Sequence, residues 1–259
     1  MKRLIALING ILPFFAALLL QSALITVVDT AYKITAGIEK LPPRGDYYIS
    51  VISVIICGLV FFYWYNGILG HRKWAFPKRI FKGRSLLLLT GMGIACQLAI
   101  SGTMSLIRPF FDELFRDYGK IVDSILDSDI TVVIIYVIII APITEELIFR
   151  GVMLKRLREA LPFFAANLLQ AVIFGIYHWN VVQGVYAFGI GLLLGYVSGR
   201  FRSITASILL HMAINASSFL VGLFPDIQAV YVIAVIAGGL TILGGLWILG
   251  RFESEVKNT

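Results

Sequence analysis

Eight runs of apolar residues, each close to the ~20 residues a helix needs to cross the hydrocarbon of a bilayer, recur along this chain with short polar connections between them. They fall near 5–28, 49–69, 85–107, 130–152, 162–179, 183–200, 204–223 and 228–250. Inside a bilayer no water satisfies backbone N–H and C=O groups, so such runs must fold as helices whose hydrogen bonds close within each segment. The expected fold is all-α: a polytopic membrane protein of about eight transmembrane helices. With 59% of residues hydrophobic and only 14% charged, little is left for a soluble domain. No repeat, low-complexity stretch or long linker divides the sequence, so residues 1–259 read as a single membrane domain.

The formal charge of +7 does not argue for a nucleic-acid partner, because the basic clusters carry no interleaved aromatic stacking pattern. Basic residues beside membrane helices serve orientation first. Sorted by alternate loops with the N-terminus inside, one face holds sixteen of them: Lys2, Arg3, Arg72, Lys73, Lys78, Arg79, Lys82, Arg84, Arg150, Lys155, Arg156, Arg158, Arg200, Arg202, Arg251 and Lys257. The other holds six: Lys33, Lys40, Arg44, Arg108, Arg116 and Lys120. Both termini are therefore expected in the cytoplasm of a multi-pass cell-membrane protein. The first apolar run exceeds a signal-peptide core and reads as a retained helix. Cys57 and Cys96 lie inside expected helices without metal-like spacing and read as packing residues. His71 falls in the basic loop and reads as exposed. In the acidic loop, Phe111, Leu114, Phe115, Tyr118, Ile121, Val122, Ile125 and Leu126 recur at helical spacing, which predicts an amphipathic helix on the membrane surface.

Three polar sets interrupt the apolar runs between residues 140 and 220: Glu145-Glu146 with Arg150, Phe174 with His178, and His211 with Asn215. Ionisable groups at membrane depth are expensive and persist mainly where they face one another or a water-filled cavity and do chemistry. These sets resemble the EExxxR, FxxxH and HxxxN motifs of the CAAX-protease and bacteriocin-processing family of intramembrane endopeptidases, in the family's order. The resemblance places the motif-bearing core at 140–220, with catalytic residues on membrane helices four, five and seven. Outside that core the chain is similar to the family only in being hydrophobic.

Peptide hydrolysis needs a group that deprotonates a water and groups that stabilise the oxyanion which forms. A carboxylate among apolar residues is a competent base near neutral pH, and Glu145 or Glu146 can serve. His178 can share the water. His211 and Asn215, four residues apart, present donors from one helix face. The resemblance implies the same division: the first Glu and the FxxxH histidine activate water, and the HxxxN pair binds the oxyanion. The two glutamates lie about 100° apart on a helix and cannot both aim at one water. Glu146 stands four residues before Arg150, a spacing for an ion pair, which leaves Glu145 as the base. An antiparallel hairpin turning at Leu161-Pro162 would bring Glu145 and His178 level, and His211 lies about nine residues beyond the Arg202-Ser203 turn.

Simpler roles stand beside these. Arg150 reads as a structural partner of Glu146 or a snorkelling helix-end charge, and Phe174 as packing one turn before His178. Pro142 removes a donor from the helix and kinks it. His178, His211 and Glu145 would also make the three protein ligands of a catalytic zinc with an open position. Without an HExxH motif a metal-free glutamate mechanism is favoured and no cofactor is expected, zinc being the alternative. The reading is thus an endopeptidase acting on a membrane-associated or CAAX-like peptide or protein substrate, with the bilayer as its other partner. A non-proteolytic immunity or export partner and a proton-coupled transporter are the alternatives. The transporter would favour an internal inverted repeat, which the sequence lacks.

Overall fold

The structure is a computed structural model that describes residues 2–37, 39, 41, 44–70, 78–220 and 227–257. His71, Arg72, Lys73, Lys40 and the Pro42-Pro43 segment lie outside the described residues, as does the 221–223 end of the seventh expected run. Among the described residues the fold is helical throughout. The helices are α1 (Lys2–Ala36), α2 (Gly45–Leu69), α3 (Gly83–Ile107), α4 (Asp112–Leu126), α5 (Ile130–Leu157), α6 (Phe163–Tyr177), α7 (Val181–Phe201), α8 (Ile204–Ser218) and α9 (Gln228–Lys257). Six of them are long and apolar enough to cross a membrane: α1, α2, α3, α5, α7 and α9. The apolar helices α6 and α8 have 15 residues each, shorter than the runs that announce them. Side chains such as Leu19 at 71%, Leu87 at 76% and Leu240 at 65% exposure would be a liability in water but suit contact with lipid.

A helix with an amphipathic pattern appears where the acidic loop predicts one. Along α4, Phe115, Tyr118, Gly119, Val122 and Ile125 form a half-buried stripe at helical spacing, while Leu114, Ile121 and Leu126, and Phe111 just before the helix, are exposed. No residue of this helix is buried.

The chain divides into two compact units, residues 1–74 with 119–173 and residues 75–118 with 174–259, the divisions falling within α4 and α6. In the first unit α1 runs antiparallel to α5, with Gly10 against Leu157 so closely that a β-carbon there would clash. By contrast, α2 runs parallel to α5: Tyr47 meets Tyr136, Gly58 meets Thr144, and Tyr65 meets Gly151. A β-carbon at Gly58 would stand 2.5 Å from the Thr144 hydroxyl, which itself donates to the Val54 carbonyl at 3.4 Å. Small residues let helix backbones approach where hydrophobic driving force between helices is absent. This arrangement gathers Arg3, Lys155, Arg156 and Arg158 at one end of the unit, with Lys33 and Arg44 at the other.

In the second unit α3 runs antiparallel to α9. A β-carbon at Gly102 would lie 2.6 Å from the Tyr231 carbonyl, and one at Gly238 would lie 2.5 Å from that of Ala95. Gly93 meets α8 in the same way, its β-carbon position 2.6 Å from that of Ala213. Tyr118 of α4 and Tyr186 of α7 join through their hydroxyls at 2.9 Å. The two cysteines are free and buried, as packing residues should be.

Candidate active site

In the first unit the glutamates ride on α5. The helix begins at Asp129, whose carboxylate accepts from the Thr131 and Val132 amides at 2.9 and 3.2 Å and so satisfies two of the unpaired N–H groups of the first turn. The helix is not regular. Wide π turns over Tyr136–Ile140 and Leu147–Met153 flank an α-helical stretch, Ala141–Glu146. Pro142 has no N–H to donate, and the wide turn immediately before it, closed by the Ala141 amide on the Tyr136 carbonyl, accommodates that loss without a break. Such turns occur often at functional positions.

Glu145 and Glu146 leave this stretch in different directions, as neighbours on a helix must. Glu146 is buried, and its Oε1 accepts from the Arg150 Nη1 at 2.7 Å with neither side chain exposed. Glu145 is half-buried. Arg150 is therefore an interior partner and not a snorkelling helix end, and the face counted at sixteen basic residues keeps fifteen. An ion pair taken fully out of water holds only if geometry and hydrogen bonding are good, because desolvation costs several kcal/mol per ion. The i,i+4 spacing supplies that geometry.

The second unit holds Phe174, His178, His211 and Asn215. His178 does not lie within its helix: α6 ends at Tyr177, and His178 occupies the turn that follows. Trp179 adopts a left-handed backbone with φ 53°, and Asn180 caps α7 by accepting from the Gln183 amide at 3.0 Å. Gly175 and Gly184 allow α6 and α7 to close on each other beside this turn, since a β-carbon at Gly175 would lie 2.7 Å from the Gly184 carbonyl. The His178 Nδ1 stands 2.8 Å from the Phe174 carbonyl oxygen. A carbonyl only accepts, so Nδ1 carries the proton, and in the neutral ring Nε2 is the acceptor.

Phe174 does more than pack below His178. Its ring, 1% exposed, meets His178 edge-on at 4.9 Å and His211 edge-on at 6.0 Å. One aromatic plate thus sets the orientation of both imidazoles. His211 is buried on α8, and Asn215 follows one turn later, half-buried. The α8 start is fixed by Ser203, whose hydroxyl accepts from the Thr205 amide at 3.2 Å after Arg202 turns the chain with φ 53°.

Each unit therefore gathers its own share of the expected residues: the carboxylates with Arg150 in one, the two histidines with Phe174 and Asn215 in the other. The first offers a half-buried carboxylate beside a fixed ion pair. The second offers an imidazole nitrogen ready to accept a proton, with a second imidazole and an amide on one helix. Among the described residues no group of three or more His, Cys, Asp and Glu side chains is placed to hold a metal ion. Sequence reasoning missed the wide turns of α5, for which Pro142 was the only signal, and the dual contact of Phe174, for which there was none.

Residues 127–217, which contain every one of these side chains, match the protein family described as type II CAAX prenyl endopeptidase Rce1-like. A stretch of 104 residues, 39% of this chain, is 32% identical to the "Putative membrane peptidase YdiL" of Bacillus subtilis (strain 168). That alignment spans 43% of the Bacillus protein. No solved structure matches the chain.

Proposed function

We propose that this chain is an intramembrane endopeptidase of the CAAX-protease and bacteriocin-processing family that cuts a membrane-associated peptide or protein, a reading supported by the similarities of residues 127–217 to the Rce1-like endopeptidases and of a 104-residue stretch to the Bacillus membrane protein. The observation that carries the reading is that the matched segment contains the full motif set, Glu145, Glu146, Arg150, Phe174, His178, His211 and Asn215, in order.

In this reading Glu145 and the Nε2 of His178 hold one water and take its proton. The water oxygen adds to the scissile carbonyl carbon, and the oxyanion that forms accepts hydrogen bonds from His211 and Asn215. The tetrahedral centre then collapses, the C–N bond breaks, and the proton passes to the departing amine nitrogen. Phe174 positions both imidazoles, and the Glu146–Arg150 pair holds the helix that presents Glu145. The carboxylate, not a zinc ion on Glu145, His178 and His211, is taken as the activator. Loss of activity on chelation, restored by zinc, would overturn that choice.

The substrate is proposed to enter from the cytoplasm, with both chain termini on that side. The charge asymmetry supports this, as does the first unit's gathering of Arg3, Lys155, Arg156 and Arg158 at one end. Comparative proteomics of cells producing the wild type or Glu145→Ala tests the whole reading. Membrane peptides that accumulate uncut only in the variant are expected, and identical profiles would sink it.

A further inference from the structure

Helix α5 carries a phenol whose position the residue numbers conceal. Tyr136 precedes Glu145 by nine residues, which at about 100° per residue would place the two on opposite faces of a regular α-helix. The wide turn at Tyr136–Ile140 absorbs one residue without advancing the helix face, so the separation falls to roughly 80°. Tyr136 thus leaves the face opposite Glu145 and lies nearer to Glu145 than to Glu146 around the helix.

Tyr47, one turn into the parallel helix α2, meets Tyr136 edge-on at 5.9 Å. The Tyr47 hydroxyl is enclosed, and among the described residues no group forms a hydrogen bond with it. A tyrosine anchoring a helix at the membrane interface would place that hydroxyl in water. This one is enclosed within the protein beside Tyr136, where a buried donor without an acceptor costs stability. A bound molecule with an acceptor oxygen would relieve that cost.

We propose that Tyr47 and Tyr136 form a substrate subsite in which the Tyr47 hydroxyl donates to a backbone carbonyl oxygen of the bound peptide. The inference rests on the peptidase reading above. Its reach is set by length: nine residues of helix place Tyr136 about 13 Å along the axis from Glu145. An extended peptide advances about 3.3–3.6 Å per residue, so the carbonyl held lies three or four residues from the bond that is cut. Tyr47 is then a specificity-determining residue, not a catalytic one.

The test uses the purified full chain in lipid nanodiscs and a quenched fluorescent apolar peptide, its cut bond fixed by mass spectrometry, with truncations taken one residue at a time from either end. Tyr47→Phe should raise KM about five- to tenfold, the worth of one neutral hydrogen bond, for peptides reaching four or more residues past the cut on one side, with kcat within about twofold. Peptides stopping two residues past the cut on that side should be handled alike by both proteins. Equal effects at every length, or an unchanged KM, would overturn the subsite. Binding of the longest peptide to Glu145→Gln with and without Tyr47→Phe, read by fluorescence anisotropy, separates the two readings. Weaker binding caused by Tyr47→Phe supports the subsite even if Glu145→Gln still cuts, and unaltered binding removes it even if Glu145 proves to be the base.

Discussion

Glu146 Oε1 and Arg150 Nη1 lie 2.7 Å apart, one helical turn from each other, with both side chains shut away from solvent. Breaking such a pair leaves a buried charge uncompensated, at a cost of about 3–5 kcal/mol. Glu146→Gln and Arg150→Ala should therefore each lower the melting temperature and the folded yield. A double change to apolar residues of similar volume should recover much of the loss, because neither charge then remains buried. Melting curves in detergent for the singles and the double decide it, and a double variant no better than its worse parent would contradict the argument.

Glu145 should behave differently. Glu145→Gln keeps size and polarity but removes the proton acceptor, so cleavage should fall to background while the melting temperature stays near that of the wild type. Should Glu146→Gln abolish cleavage without a change in melting while Glu145→Gln remains active, the two roles must be exchanged.

The histidine unit predicts a graded series. His178→Ala and His211→Ala should each nearly abolish turnover, and Asn215→Ala should cost about 10²–10³-fold, the loss of one oxyanion donor. Phe174→Ala opens a cavity worth about 3–5 kcal/mol and frees both imidazoles, so stability and kcat should fall together. Phe174→Leu should restore most of the stability and little of the kcat, a combination that a purely structural role would not give.

Orientation is open to direct measurement. In a background lacking Cys57 and Cys96, a cysteine at Lys82 or Arg84 should react with an impermeant thiol reagent only from the cytoplasmic side, and one at Asp112 or Asp123 only from the other. Opposite labelling would invert the topology.

Much of this was legible in the sequence because its signals are local. An apolar run reports a helix whatever surrounds it, and a Glu four residues before an Arg can pair within a single turn. What was not legible depends on register and on partners. The expected helix through His178 stops at Tyr177 because Trp179 turns left-handed and Asn180 begins the next helix, a choice made by the Gly175–Gly184 contact of two segments and not by either alone. The facing of Tyr136 changes with a single inserted residue in α5, and no periodicity count detects one residue. The buried state of Arg150 likewise required knowing that α1 and α2 cover that part of α5.

The shortness of α6 and α8 reaches beyond the protein itself. At 15 residues each they extend only ~22 Å, against ~30 Å of hydrocarbon in an ordinary bilayer. Lipid beside them must be drawn thin, or the mismatch taken up by neighbouring helices. One of them, α6, leads directly into the turn that holds His178 and the other, α8, carries His211, so the acyl-chain length of the host lipid becomes a variable of the chemistry, and the same molecule should work at different rates in thin and thick bilayers.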